Sequence, residues 1–137
     1  MDVNLTQHMA APEQGLTDLS GEAREKLLAL LDFRILPSQA EILSRAEALA
    51  DLAEAAGTRS AMIGGALFLM GPLEAALRAK GIEAFYAFST RESAEETQPD
   101  GSVRKVAVFR HLGTVPGVVG GLINEAFDSG YKAGAAE

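Results

Sequence analysis

The chain has 137 residues, 47% hydrophobic and 23% charged, enough for one domain with a real core and too well balanced for a wholly disordered chain. It contains no cysteine, which excludes disulfides, thiolate metal sites and cysteine nucleophiles. Its formal net charge of −7, from 19 acidic and 12 basic residues, works against non-specific binding to duplex nucleic acid, which needs Lys and Arg to neutralise phosphates.

The amino terminus lacks a basic-then-apolar signal pattern, and no apolar run approaches the roughly 18 residues that span a bilayer. A cytoplasmic protein with no membrane partner is expected. Val3 to Thr6 has the pattern of a short buried strand, which runs without Gly or Pro into Gln7 and His8, one of only two histidines. A polar loop through Pro12 and Gly15 follows. Leu27, Leu28, Leu30 and Leu31 then supply the apolar stripe of a helix capped by Ser20 or Thr17. Ser38 and Glu41 have the spacing of a capping box, in which each side chain satisfies an orphan backbone donor. The helix they open places Ile42, Ala46, Leu49 and Ala53 on one face and ends at Gly57.

"SAMIGG", residues 60–65, has the size of a buried strand, and Gly64-Gly65 permits a tight exit. A helix opening at Pro72 follows, with Leu69, Leu73, Ala76 and Leu77 toward the sheet and Gly81 at its end. "IEAFYAFS", residues 82–89, is the third strand, completing a βαβ unit whose strands are expected to be parallel. The segment 93–110 is then a hairpin turning at Pro99-Asp100-Gly101. Counting outward from Asp100 sets Glu96 opposite Arg104 and Glu95 opposite Lys105. Val118, Leu122, Ile123, Ala126 and Phe127 share a face at helical spacing, which predicts a carboxyl-terminal helix over 116–131 and a frayed tail over 132–137. The alternation predicts a single α/β domain over residues 1–137. Its fold is three-layer and Rossmann-like, and its mixed sheet has parallel core strands and an antiparallel hairpin.

In an open α/β sheet, ligands collect outside the carboxyl ends of the parallel strands. Three predicted strands end on functional side chains or flexible backbone: Thr6-Gln7-His8, Gly64-Gly65 and Ser89-Thr90-Arg91. The second hairpin strand adds Arg110 and His111. Gly64-Gly65 serves equally as a tight turn or as a backbone cradle for an anion at a helix start. Arg91 and Arg110 suit phosphate or carboxylate, but Glu92 and Glu95 are alternative partners. His8 and His111 are the candidate general acids or bases. No G-x-G-x-x-G, Walker lysine, nucleophile elbow or HExxH pattern occurs. Two histidines without ligand spacing give no metal site, and no cofactor is implied.

"NLTQH" with "PEQ", "MIGGALFLMGPLEAAL", "YAFSTRES" and "PDGSVRKVAVFRHLG" together resemble a family of small uncharacterised bacterial proteins over residues 3 to about 113. That resemblance implies no catalytic residue. The layout also loosely resembles the Rossmann-like CARF domains, in which a polar strand end followed by a basic residue faces a cyclic oligoadenylate; Ser89 to Arg91 would correspond.

The expected function is binding of a small anionic ligand, a nucleotide or nucleotide-derived signal, by Thr6, Gln7, His8, Gly64, Gly65, Ser89, Thr90, Arg91 and Arg110. The alternatives are a phosphoester hydrolase using His8 or His111 on the same site, and a protein-interaction module acting through the 93–110 hairpin. Val106, Val108 and Phe109 on that hairpin need cover, so a homodimer is the expected partner state.

Overall fold

A computed structural model of the chain describes residues 2–117, except for the side chain of Phe109. The helix expected over 116–131 and the tail 132–137 fall outside these residues, apart from Pro116 and Gly117. Pro116 is the last residue of a strand rather than the first of a helix.

The elements in chain order are β1 (Asp2–Asn4), the 3-10 turn η1 (Pro12–Gln14), β2 (Thr17–Asp18), α1 (Gly21–Leu31) and α2 (Gln39–Ala55). They are followed by β3 (Ser60–Met62), α3 (Leu67–Ala79), β4 (Glu83–Thr97) and β5 (Val103–Pro116). The protein is an α/β fold with one mixed sheet in the order β2-β1-β3-β4-β5. β1, β2, β3 and β4 pair in parallel, and β4 pairs antiparallel with β5.

This order fixes which face each connection covers. The step from β1 to β2 moves one way along the sheet, and the steps from β2 to β3 and from β3 to β4 move the other way. Right-handed parallel connections therefore send η1 to one face and the three helices to the opposite face. The packing agrees. Val3, Leu5, Ala61 and Ile63 point to the helices and share one apolar cluster with residues of all three, among them Leu27, Leu49 and Leu73. Asn4 and Met62 alternate with them, are equally buried, and stand outside that cluster. Met62 Sδ instead accepts from Gln14 Nε2 of η1 at 3.8 Å.

Several local expectations change. Thr17, one of the two expected caps of α1, instead opens the two-residue β2, and Ser20 takes the cap position without a side-chain hydrogen bond. Ser38 caps α2 by accepting from Glu41 N at 3.1 Å, but the Glu41 carboxylate turns to Arg45 at 2.8 Å instead of closing the box. Arg45 is drawn in because its guanidinium also donates to the backbone oxygens of Leu30 and Asp32 at the end of α1. α3 begins at Leu67, five residues before Pro72. Starting upstream buries Leu69 and Met70, while Gly71 before the proline carries no Cβ to clash with its ring.

The largest change is in the third strand. It does not stop at Ser89 but runs for 15 residues to Thr97, paired with β5 along nearly its whole length. β3 pairs only with Glu83 to Phe85, so among the described residues the rest of β4 has β5 as its sole strand partner. The hairpin register is as the charges predicted: Glu96 faces Arg104 and Glu95 faces Lys105. Gln98 N donates to Ser102 O at 2.7 Å, closing a three-residue loop in which Gly101 holds φ +87°. A register shift at Phe88/Ser89 leaves Leu112 unpaired and bends the hairpin where it leaves the sheet.

Candidate functional site: a cleft at the ends of β1 and β3

A sheet ordered 2-1-3-4-5 reverses its winding between β1 and β3, and the loops that leave these strands toward opposite faces open a crevice between them. A cleft of about 760 Å³ lies at this point, within the size range of small-molecule sites. Thr6, Gln7, His8 and Met9 line it from β1, Gly64, Gly65 and Ala66 from β3, Ala87 and Ser89 from β4, and His111 from β5.

The wall after β1 is organised from beneath by Asn4, which is fully buried. Its Nδ2 donates to His8 O and to Asp18 Oδ1, each at 2.7 Å, while its Oδ1 accepts from Thr6 N at 2.9 Å and Thr6 Oγ1 at 2.7 Å. Asp18 Oδ1 also accepts from Ala10 N at 3.1 Å. Thr6 therefore spends its hydroxyl proton on shaping the loop. Gln7 and His8 are left exposed on the rim. Arg24 of α1 donates to Gln7 O at 3.0 Å, and its other terminal nitrogen, Nη1, is enclosed without a hydrogen-bond partner. A guanidinium thus sits behind this rim of an otherwise acidic protein.

The wall after β3 is bare backbone. Gly65 has φ +144°, a conformation other residues rarely adopt, and a Cβ on Gly64 would meet Thr6 Cγ2 at 3.4 Å. The pair brings the chain close to the β1 loop and straight into α3, whose N-cap, Ala66, offers no side-chain bond to the first-turn N–H groups. Ala66 itself lines the cleft, so the amino-terminal end of α3, where the helix dipole is positive, adjoins it.

The third wall comes from the hairpin where it crosses the sheet edge. Ser89 and His111 are directly paired across β4 and β5. η1 closes over them: Ala11 N donates to Gln14 Oε1 at 2.8 Å, and Gln14 Nε2 lies 3.4 Å from His111 Nδ1. Tyr86, also at the cleft, donates to Glu74 Oε2 at 2.6 Å. Burial first, then the hydrogen bond and charge of Glu74, push its phenol well above its ordinary pKa, so it is a neutral donor.

Six of the nine expected binding residues thus meet in one concavity: Thr6, Gln7, His8, Gly64, Gly65 and Ser89. His111, the second candidate acid or base, joins them. Thr90, Arg91 and Arg110 do not line it, because β4 and β5 continue outward as a hairpin instead of ending there. Arg91 is exposed two residues beyond Ser89, Thr90 Oγ1 is enclosed without a partner, and Arg110 pairs with Glu92 at 3.7 Å. Gln14, Asn4 and Asp18 were missed. Only "NLTQH" hinted at Asn4, since a buried Asn next to a polar strand end has to satisfy its amide somewhere.

A smaller cavity of about 460 Å³ lies between α3 and the other end of β4, lined in part by Glu74, Arg78 and Phe85. Pro116 and Gly117 form one of its walls. Among the described residues, no three His, Cys, Asp or Glu side chains group as metal ligands, and no helix is long and apolar enough to cross a membrane.

A family profile described as the Uncharacterized protein MJ1673 family matches residues 3–113. The chain belongs to this family. The matched span holds the residues that line the cleft, from Thr6 to His111, and stops before β5 does. The family's description states no activity and so assigns no role to any of them. No curated protein and no solved structure matches the chain.

Proposed function

We propose that the protein binds a small anionic ligand, a nucleotide or nucleotide-derived signal, in the cleft between the carboxyl ends of β1 and β3. The observation that carries this reading is the convergence at the winding reversal of Gln7, His8, Ser89 and His111 on a glycine-lined turn that leads into α3. Backbone donors at the start of α3 suit a phosphate or carboxylate. The polar side chains supply orientation, and the Arg24 guanidinium behind Gln7 adds positive potential. The likeness to CARF domains makes a cyclic oligoadenylate one candidate among such signals, by analogy of fold.

Sensing fits better than hydrolysis. A general base is activated by a group that orients it. The His8 imidazole has no such partner among the described residues, and His111 meets the Gln14 amide rather than a carboxylate that would stabilise an imidazolium. A thermal-shift series with inorganic phosphate, nucleoside monophosphates and cyclic oligoadenylates tests the proposal, because a ligand specific to the folded state stabilises it by RT ln(1 + [L]/Kd). A rise in Tm that grows with the concentration of one of these anions supports binding. A flat response to all of them contradicts it.

A second activity has its own support. The hairpin beyond Phe85 leaves two long strand edges unpaired among the described residues, and Phe88, Val103, Val108, Leu112 and Val115 on it are exposed. Such edges and apolar side chains are normally covered, which favours a homodimer through the hairpin. Light scattering that returns a dimer mass for the chain, and a monomer mass for Val108→Glu, would support that state. A monomer mass for the unaltered chain at high concentration contradicts it.

A further inference from the structure

We infer that Gln14 holds His111 as a neutral hydrogen-bond donor through Nε2, so that the ligand group meeting His111 is an oxyanion acceptor. The inference rests on the proposed ligand cleft and specifies its ligand class and a positioning residue. The chain of atoms begins at Ala11, whose N–H donates to Gln14 Oε1 at 2.8 Å. That bond fixes which way round the Gln14 amide sits, because the amide nitrogen could not accept it. Nε2 is then the atom that lies 3.4 Å from His111 Nδ1 and 3.8 Å from Met62 Sδ. An amide nitrogen only donates, so Nδ1 has to present its lone pair and the ring proton belongs on Nε2. An imidazolium, or the other neutral tautomer, would set N–H against N–H.

His111 Nε2–H has no protein partner among the described residues and belongs to a ring that lines the cleft. The chemistry is selective. A ligand oxygen that accepts, on phosphate or carboxylate, completes the ring's hydrogen bonding, whereas an amine or other donor at the same place would not. Among the described residues no Lys or Arg lines the cleft, and Glu13 does, so recognition there depends on the direction of neutral donors more than on opposite charge. Ser89, directly opposite His111, is a second donor in reach of the same cleft.

The test uses the full chain, 15N NMR of the two imidazoles at a pH above the ordinary His range, and inorganic phosphate as the probe. His8→Gln assigns the two rings. In the unaltered chain His111 should carry its proton on Nε2. In Gln14→Glu the carboxylate still accepts from Ala11 N–H but also draws a proton to Nδ1, so the His111 pattern should invert or become that of an imidazolium while His8 stays unchanged. Gln14→Leu, which offers Nδ1 nothing, should release the ring into a tautomer mixture and weaken phosphate by about tenfold, as expected when a site loses the orientation of one good donor. A proton on Nδ1 of His111 in the unaltered chain, or an unchanged His111 pattern in Gln14→Glu, would overturn the role given to Gln14 even if phosphate binds. The expected tautomers with no phosphate effect on either ring would overturn the ligand class, and the cleft reading with it.

Discussion

Asn4 Nδ2 and Asp18 Oδ1 meet at 2.7 Å, and this contact joins β1 to β2 at the point where the loop that forms one wall of the cleft begins. Because the same amide also holds His8 O and Thr6, exchanging Asn4 for its near-isostere Asp would set a carboxylate against two oxygen acceptors. Asn4→Asp is expected to cost on the order of 2–4 kcal/mol, the range for leaving buried polar groups wrongly paired. Urea unfolding measures it, and a loss below about 0.5 kcal/mol would show that the network does not hold the loop.

Ser38 and Glu41 separate two contributions that their spacing suggested were one. Ser38→Ala removes the bond from Glu41 N and should cost about 1 kcal/mol, as helix caps do. Glu41→Ala loses only its partly exposed pair with Arg45 and should cost about 0.3–0.5 kcal/mol. Equal losses in thermal unfolding would restore the reciprocal box.

Tyr86 gives the fold an alkaline sensitivity. Its pKa is raised in the folded chain, by burial and then by Glu74, so the folded state keeps the phenol proton to higher pH than the unfolded chain does. The stability this contributes is fully present below the unfolded value of about 10 and is lost as pH rises above it toward the folded value. Tyr86→Phe should therefore be less stable at neutral pH and show a shallower decline from about pH 9 to 11. Parallel urea midpoints for both chains across that range would contradict the assignment.

Charges on the outer hairpin should matter little to either stability or binding. Arg104 faces Glu96 in an exposed pair, so Arg104→Glu should cost no more than about 1 kcal/mol. Arg91 lies beyond the cleft, and Arg91→Ala should change phosphate affinity less than Ser89→Ala or His111→Ala does. Isothermal titration of the three variants checks this order, and a larger loss from Arg91 would return it to the site.

How far these features were legible differs from residue to residue. Helical spacing was enough for α2, whose apolar positions and cap side chain act within a few residues of each other. The Glu96–Arg104 register followed from turn chemistry, which is also local. The length of β4 did not, because Ser89-Thr90-Arg91 has the composition of a strand end and only pairing with β5, distant in sequence, keeps it extended. That error put Thr90 and Arg91 into the site, whereas Arg110 entered as the expected end of the second hairpin strand, which instead runs on to Pro116. The convergence of Thr6–His8 with Gly64-Gly65 was readable because parallel strands present their carboxyl ends on one edge. Gln14 was not, since its role arises from a connection crossing to the opposite face of the sheet, where it meets Met62 and His111.

The most direct measurement is a two-dimensional 1H–15N NMR titration of the chain with adenosine monophosphate and, separately, inorganic phosphate. If the cleft at the ends of β1 and β3 is the ligand site, the backbone signals of Gln7, His8, Gly64, Gly65, Ser89 and His111 shift together and saturate with one affinity, while those of Arg104 and Lys105 on the outer hairpin stay in place. Saturable shifts confined to the hairpin, or none at Gly64 and Gly65 with either probe, would contradict it.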